Sequence, residues 1–327
     1  MSGVSESKMV VSADGTEIYA NAVGDPSHPA LVFLHGFSTS TLVFDAIFDS
    51  PKWSSQLYLV RASHSFFSLC FSLSSHCVLP PYLPPCLHLP NARMRTLRDR
   101  VRYDMRGHGR SGKPVDEASW ESRRLCDDFD AVLQAFNVQK PIVVGWSLGA
   151  TNITDILSFH PPSYLAGIIY VSALPYMGPV MAKVGTPDIL GCLPALMQMT
   201  DVDAFQNAAI SFIDRLSSSM SHNLRQACLG NYMVQPRAVT LRLLTRVQSE
   251  VGLLEAGRNG GLPMLAVISK KDQVVFGEET LKAVDGWKNL HVEELDNGDH
   301  MPWLSEEVAF RDAVLSWAAR IFRGSNE

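Results

Sequence analysis

Residues 141–149 read PIVVGWSLG, which places Ser147 between two glycines directly after an apolar run. The run is typical of a buried strand, and the apolar spacing from about residue 148 to residue 159 predicts a helix after it. A serine on so sharp a strand-to-helix turn has its hydroxyl lifted above the sheet, and small residues beside it let strand and helix approach closely. The five-residue pattern G-x-S-x-G also occurs in ordinary glycine turns. Its position between a strand and a helix predicts that Ser147 is a nucleophile.

Strands and helices alternate on both sides of this turn. An Asp14-Gly15 turn predicts a hairpin. Apolar runs predict strands at residues 30–34, 57–60, 167–171, 264–268 and 291–295, and helical spacing predicts helices at residues 120–136, 278–284 and 303–322. The alternation predicts an α/β fold with a mostly parallel sheet covered by helices on both faces. Residues 176–258 contain no clear strand, and they are predicted to form a helical lid over the carboxyl edge of the sheet, where ligands bind in open α/β folds.

A serine nucleophile needs a general base, and the best candidate is His300. This residue lies between the last predicted strand and the last predicted helix, in NGDHMPW at residues 297–303. Asp272 follows the strand at 264–268 and is the predicted carboxylate that orients the base. The order Ser147, Asp272, His300 is that of nucleophile, acid and base in strand–turn–helix serine hydrolases. Asp296 and Asp299 are weaker alternatives for the acid and are expected to be surface turn residues.

An oxyanion formed at Ser147 needs two preorganised N–H donors. One is expected from Leu148, the residue after the nucleophile, at the start of the helix. The other is expected from the loop after the strand at 30–34, where residues 35–38 read HGFS. The backbone N–H of Phe37 is the predicted donor, although an ordinary turn would read the same.

Together these motifs resemble the α/β-hydrolase superfamily, in its lidded single-domain branch. The resemblance covers nearly the whole chain except residues 62–102 and rests on HGF at 35–37, YDMRGHGRS at 103–111, GWSLG at 145–149, Asp272, and GDH at 298–300. It implies one domain over residues 1–327, a Ser–His–Asp hydrolase with an acyl-enzyme intermediate, and no cofactor. It also implies that Asp104, Arg106 and His108 are structural.

The function expected from this resemblance is cleavage of a carboxylic ester of a small substrate. Epoxide hydrolases and haloalkane dehalogenases use an aspartate nucleophile and typically have proline after His-Gly-x, whereas this chain has Ser147 and Ser38. Lactonases and carbon–carbon bond hydrolases use the same triad and stay open, as does haloperoxidase side activity. A non-catalytic small-molecule receptor or scaffold is a further alternative. Six apolar residues lie in the predicted lid: Met177, Met181, Leu193, Leu196, Met197 and Met199. They indicate either an apolar substrate pocket or simple packing of the lid on the sheet.

Residues 62–102 are atypical of the rest of the chain. Ser, Leu, Pro and Phe make up 20 of the 28 residues from 63 to 90, and all four can be encoded by codons that begin with two pyrimidines. The resemblance expects the strand at 57–60 and Arg61 to run almost directly into Tyr103, but the 41 residues from 62 to 102 intervene. Such a long structureless loop is uncommon in a compact domain. We interpret the segment as a retained intron or, alternatively, as a genuine loop insertion.

The composition limits the remaining classes of function. Hydrophobic residues make up 46% of the 327 residues, which is ample for a core and excludes disorder as the main state. The net charge of −5 offers no electrostatic footprint for nucleic acid. The sequence contains no uninterrupted apolar stretch of 18 or more residues, so no membrane span is expected. The first residues contain no apolar region, so no secretory signal is expected either. The scattered cysteines predict reduced thiols in the cytoplasm. Cysteine and histidine spacings match no zinc module, so no metal is expected, and no oligomeric state follows from the sequence.

Overall fold

An eight-stranded sheet lies at the centre of the computed structural model, which describes residues 4–24, 29–53 and 99–324. The strands are β1 (Val4–Val11), β2 (Glu17–Gly24), β3 (Ala30–Leu34), β4 (Asp99–Tyr103), β5 (Ile142–Trp146), β6 (Gly167–Val171), β7 (Met264–Ser269) and β8 (Leu290–Leu295). Their order is β1-β2-β4-β3-β5-β6-β7-β8. Strand β2 pairs antiparallel with β1 and with β4. Every other pair of neighbouring strands, from β4 and β3 to β7 and β8, is parallel. The predicted α/β fold with a mostly parallel sheet is confirmed.

Burial explains why the central strands read as apolar runs rather than as alternating patterns. Every residue of β3, β5 and β6 is buried, as expected for strands covered on both faces. At one edge, β1 and β2 form the predicted hairpin, and Gly15 in its turn has a φ of +85° that glycine adopts without strain. At the other edge, β8 is only partly buried.

Helices flank the sheet on both faces. They are α1 (Asp45–Phe48), α2 (Ser122–Ala135), α3 (Thr151–Leu157), α4 (Met181–Val184), α5 (Pro187–Met197), α6 (Val202–Asp214), α7 (His222–Val234), α8 (Arg237–Thr245), α9 (Val251–Arg258), α10 (Gly277–Ala283), α11 (Pro302–Ser305) and α12 (Glu307–Gly324). Short 3-10 turns lie at Thr41–Phe44, Ala118–Trp120, Ser147–Ala150 and Pro162–Tyr164. None of the helices among the described residues is long and apolar enough to cross a membrane.

Residues 176–258 form a helical block, α4 to α9, between β6 and β7. Its last helix, α9, packs against elements that flank the sheet. A Cβ added to Gly252 would lie 2.3 Å from the Leu157 carbonyl oxygen, and one added to Gly257 would lie 2.1 Å from the Trp287 indole. Helix α9 therefore packs closely on α3 and on the segment before β8. It belongs to the layer that flanks the sheet.

Strand β4 begins inside the atypical segment. The strand that enters the turn at Asp104 is Asp99–Tyr103, with Val101 fully buried between β2 and β3. The last four residues of the segment predicted at 62–102 are thus part of the central sheet, because Val101 and Tyr103 supply the inward-facing apolar side chains that this position needs. The strand predicted at 57–60, and residues 62–98, lie outside the described residues.

The sheet topology fixes where a ligand has room to bind. The chain passes from β3 to β4 on one side of β3 and returns to β5 on its other side. This reversal is a topological switch point, and the loops after the carboxyl ends of β3 and β5 diverge there. His35 follows β3 and Ser147 follows β5, so both begin loops at this crevice.

Candidate active site

Ser147 lies at the sharp turn between β5 and α3. Its φ is +53°, a left-handed conformation that is strained for any residue but glycine and is frequent at functional sites. A Cβ added to Gly145 would lie 2.5 Å from Ala150 Cα, and one added to Gly149 would lie 2.4 Å from the Leu34 carbonyl oxygen. Both glycines are therefore required by close backbone approach, and the tight turn holds Ser147 at the end of the strand.

His300 and Asp272 are brought together from two loops at the same sheet edge. The His300 Nδ1 atom lies 3.0 Å from Asp272 Oδ1 and 2.9 Å from Oδ2. Because a carboxylate only accepts hydrogen bonds, Nδ1 carries the proton, and in the neutral ring Nε2 presents its lone pair. Asp272 Oδ1 also accepts the backbone N–H groups of Val274 and Val275 at 2.8 and 3.1 Å, which orients the carboxylate.

Trp146 connects the His300 loop to the serine turn. The Trp146 indole N–H donates to the His300 carbonyl oxygen at 2.7 Å, and the ring centroids of the two residues are 5.4 Å apart. Since Trp146 directly precedes Ser147, these contacts hold the histidine beside the serine turn. The His300 ring is fully buried, and its Nε2 atom has no hydrogen-bond partner among the described residues. A buried, unpaired ring nitrogen is available for a proton from a nearby hydroxyl group.

The loop after β3 lies against the same turn. A Cβ added to Gly36 would lie 3.2 Å from Ser147 Cβ. The Gly36 carbonyl oxygen accepts hydrogen bonds from His35 Nδ1 at 2.9 Å and from the Thr39 hydroxyl at 2.8 Å. In a trans peptide the N–H points opposite to the preceding carbonyl, so the Phe37 N–H points away from these partners.

Two backbone donors at the site have no protein acceptor. Within the described part of the chain, neither the Phe37 N–H nor the Leu148 N–H donates to a backbone or side-chain oxygen. Buried backbone N–H groups are almost always paired, by water or ligand if not by protein. Phe37 and Leu148 are both 5% exposed. Their N–H groups are therefore free to bind a ligand oxygen.

The segment at residues 103–111 contacts the loop after β3 and helix α2. The Asp104 carboxylate accepts the backbone N–H groups of Thr41 and Arg110, and Arg106 donates twice to Asp128 at 2.7 Å. The His108 ring packs edge-on against His35 with centroids 5.0 Å apart. Burial lowers the pKa of His35 to about 4 and, with repulsion from His35, that of His108 to about 3. Both rings are thus neutral packing groups at ordinary pH.

One acidic residue of the His300 loop lies where the sequence did not predict it. Asp296 is a surface residue, as expected, and forms an ion pair with Lys270 at 2.7 Å. Asp299 is buried, and its carboxylate accepts the Ser217 hydroxyl at 2.8 Å, the Ser218 N–H at 3.2 Å and the Met301 N–H at 3.0 Å. The expectation of a surface turn residue is therefore wrong for Asp299, because two of its three partners, Ser217 and Ser218, come from the helical block about 80 positions away. No local pattern could reveal them.

Among the described residues, one group of side chains has ligand atoms close enough for a metal ion. Cys126, Asp130 and His160 offer atoms within 4.8 Å of one another. The Asp130 carboxylate already accepts His160 Nε2 at 2.9 Å and the Tyr164 hydroxyl at 2.7 Å. Burial, with repulsion from Asp130, strongly raises the pKa of the Cys126 thiol, so it stays protonated. The cluster is explained as a hydrogen-bonded contact between α2 and the segment after α3.

Comparisons with known proteins agree with this architecture. A family model for the alpha/beta hydrolase fold matches residues 29–307, and a search among curated proteins found no similar sequence. The structure is similar to a putative aryl esterase from Burkholderia cenocepacia, with 19% identity, a TM-score of 0.74, and 97% of this chain and 100% of that chain covered. It is also similar to a bromoperoxidase from Bacillus anthracis, with 17% identity, a TM-score of 0.66, and coverage of 96% and 100%. A third similar structure is Est816, an N-acyl homoserine lactone degrading enzyme, with 17% identity, a TM-score of 0.62, and coverage of 93% and 98%.

Proposed function

Since the chain belongs to the alpha/beta hydrolase fold family, we propose that it is a serine hydrolase that cleaves carboxylic esters through an acyl-enzyme intermediate. The observation that carries the proposal is the His300 ring. Its Nδ1 is held by both oxygens of Asp272, and its buried Nε2 is unpaired beside the serine turn. A general base must have one nitrogen oriented and the other free, and this ring meets both conditions.

In the proposed first half-reaction, His300 Nε2 takes the proton of the Ser147 hydroxyl as the serine oxygen attacks the carbonyl carbon of the ester. The imidazolium that forms is stabilised by Asp272, which stays ionised. Collapse of the tetrahedral intermediate breaks the bond to the alkoxy oxygen, and His300 returns its proton to that oxygen. The alcohol leaves, and the acyl group stays on Ser147.

In the second half-reaction the same base activates water. His300 Nε2 removes a proton from water, the hydroxide oxygen attacks the acyl carbon, and His300 then protonates Ser147 as the carboxylic acid leaves. In both halves the negative charge on the former carbonyl oxygen is bound by the Phe37 and Leu148 N–H groups. Two free, buried backbone donors on facing loops support this role, because they need no reorganisation when the charge develops.

The side chains around the donor loop favour a substrate with an apolar group. The Phe37 ring packs edge-on against Phe212 and Tyr232 of the helical block, with centroids 5.6 and 6.0 Å apart. We propose that α5 to α8 cover the crevice as a lid and supply this apolar surface. The cysteines described by the structure, Cys126, Cys192 and Cys228, are free thiols, which supports the proposed location in the cytoplasm.

Two alternatives to this function are distinguished by experiment, and one of them has support from a similar structure. Est816 degrades a lactone, which is a cyclic ester, so lactone opening with the same triad is the first alternative. The second is a non-catalytic receptor, in which the crevice binds a small molecule and Ser147 never becomes acylated. The complete His300–Asp272 contact favours a catalytic function over a receptor function.

The proposal is tested by p-nitrophenyl ester hydrolysis and by labelling with a fluorophosphonate probe. We expect the unaltered chain to hydrolyse short-chain esters and to carry the label on Ser147, as located by mass spectrometry. Ser147→Ala should abolish both, whereas Ser249→Ala, which removes an exposed hydroxyl in the helical block, should change neither. A folded chain that is never labelled would support the receptor, and activity retained in Ser147→Ala would overturn the assignment. Hydrolysis of acyl lactones in preference to open-chain esters would identify the lactonase.

A further inference from the structure

A glutamine of the helical block reaches the loop that carries Phe37. Gln235 directly follows α7, and its side chain is 3% exposed. Its Oε1 atom accepts the Ser38 hydroxyl at 2.5 Å, and its Nε2 atom lies 3.4 Å from His108 Nε2. The glutamine amide therefore spans the gap between the loop after β3 and the buried turn at residues 103–111.

The orientation of this amide follows from the tautomer of His108. The His108 Nδ1 atom lies 3.1 Å from the Arg106 carbonyl oxygen, which can only accept, so Nδ1 carries the ring proton. Burial keeps the ring neutral, because it lowers the pKa of His108 to about 3. His108 Nε2 must then accept, and the Gln235 NH₂ group is its donor. The amide oxygen consequently faces Ser38, and the serine hydroxyl is the donor to it.

The backbone of Gln235 is itself held in place. The Arg237 guanidinium donates to the Gln235 carbonyl oxygen at 2.8 Å and to the Tyr232 carbonyl oxygen at 2.6 Å. The Gln235 N–H donates to the Asn231 carbonyl at 3.1 Å. The amide thus projects from a fixed point at the end of α7. A side chain on a fixed backbone can hold a neighbouring loop at little further cost in entropy.

Ser38 is the residue through which this hold reaches Phe37. Its φ is +47°, a conformation that costs a non-glycine residue free energy and persists only when the surroundings impose it. On the other side of Phe37, the Gly36 carbonyl is fixed by His35 and Thr39. The Phe37 peptide is therefore clamped from both sides, and the Gln235–Ser38 hydrogen bond is the clamp on the carboxyl-terminal side.

We propose that Gln235 is a positioning residue: through Ser38 it holds the Phe37 N–H at the place where the oxyanion forms, so that the helical block sets the geometry of this donor. The inference rests on the proposed function of Ser147 and Phe37. It assigns a task to a residue that touches neither the substrate nor the triad. The Phe37 N–H is held in position before the reaction begins, and such preorganisation is what lets a donor stabilise the oxyanion effectively.

The test compares Ser38→Ala, Gln235→Leu and the double variant in hydrolysis of a p-nitrophenyl ester. Removing an oxyanion donor outright typically lowers kcat by about 10²- to 10³-fold, so a misaimed donor should lower kcat by roughly 10- to 100-fold. KM should change by less than about threefold, because the ground-state carbonyl depends little on this donor. The Ki of a boronic acid that mimics the tetrahedral intermediate should rise by the same factor as kcat falls. The double variant should be no worse than the poorer single variant, since both remove one hydrogen bond.

Gln248→Leu is the matched control. Gln248 is also a buried glutamine of the helical block, but its side chain bonds to Met177, Thr151 and Asp155 rather than to the donor loop. It should lower the melting temperature and leave kcat within about threefold of the unaltered chain. If Gln235→Leu does not fold, Ser38→Ala decides the question, because it removes only a hydroxyl group.

The outcomes separate this inference from the function on which it rests. If the unaltered chain hydrolyses the ester while folded Ser38→Ala keeps its kcat, the positioning role is refuted and the hydrolase stands. A raised KM at constant kcat would equally refute it, because that pattern marks ground-state binding. If the unaltered chain neither hydrolyses esters nor is labelled at Ser147, the proposed function fails and the inference falls with it.

Discussion

Removing residues 62–102 should give a chain that folds and is more stable than the full one. The deletion places Val60-Arg61 directly before Tyr103, which reproduces the Val101-Arg102-Tyr103 sequence at the end of β4. It also places Leu59 where Arg100 stands in the sheet. The shortened chain has 286 residues, and we expect its residues 57–61 to take the β4 position with Leu59 facing the interior.

The expected gain comes mainly from Arg100. Arg100 is only 8% exposed, and its guanidinium donates to the Ile47 carbonyl at 2.6 Å and lies 5.5 Å from the Phe48 ring centroid. Burial, and repulsion from Arg102, lower the pKa of Arg100 to about 10 from 12.5, and attraction by Asp49 offsets only part of this. The shift corresponds to about 3 kcal/mol of unfavourable free energy for the charged form. A leucine at that position removes this cost and adds buried apolar surface.

Urea unfolding followed by tryptophan fluorescence measures the difference. The full chain, the deletion variant and Arg100→Leu in the full chain are compared, and both altered chains should have a higher free energy of unfolding by about 2–3 kcal/mol. Arg102→Leu is the matched control and should be destabilising, because Arg102 pairs with Asp45 at 2.7 Å and donates to the Thr41 carbonyl. A deletion variant that is unfolded, or an Arg100→Leu chain that loses stability, would refute the reasoning. The interpretation of residues 62–102 as a retained intron predicts that transcripts lacking this segment dominate in RNA sequencing across the locus.

Three further predictions concern the scaffold and the site. Lowering the pH from 7.5 to 5 should remove about 4 kcal/mol of stability, because folded His35 and His108, with pKa values of about 4 and about 3, stay neutral while unfolded histidines near 6.5 bind protons. Urea titrations should show that His108→Gln halves this pH dependence, and a flat profile for the unaltered chain would contradict the argument. Gly149→Ala should cost roughly 1–3 kcal/mol in thermal unfolding, because its Cβ would lie 2.4 Å from a β3 carbonyl oxygen, whereas Gly230→Ala in α7, with open space around it, should be neutral or stabilising. Asp272→Asn should lower kcat for ester hydrolysis by about 10³- to 10⁴-fold with little change in KM, and a loss under tenfold would argue against its role as the acid.

Local sequence pattern was sufficient for most of the fold. The predicted strand at 167–171 coincides with β6, and β3 also has the predicted bounds. Central strands of a parallel sheet are buried on both faces, so their sequences are continuous apolar runs that are easy to recognise. The nucleophile turn was equally visible, because close approach of Gly149 to β3 leaves room for no side chain.

Strand β4 was not predictable from local pattern. The apolar run at 57–60 is the better strand by composition, whereas Asp99–Tyr103 contains two arginines and an aspartate. The structure places Asp99–Tyr103 in the sheet, where the strand leads directly into the turn at Asp104. What stabilises it is pairing with β2 and β3 and the contact of Arg102 with Asp45 of α1, and the sequence of the strand alone does not reveal these partners.

By itself the sequence determined the candidate residues for the proposed chemistry. Ser147, Asp272 and His300 each follow a strand, and the carboxyl ends of parallel strands meet at one edge, so their convergence was predictable before any coordinates. Only the tertiary structure decided which distant residues hold these candidates in place. Gln235 meets Ser38 across 197 positions, and Asp299 meets Ser217 across 82. Such contacts depend on where a helical block settles over a sheet, and a short polar side chain in a loop carries no periodic signal of the partner it will find.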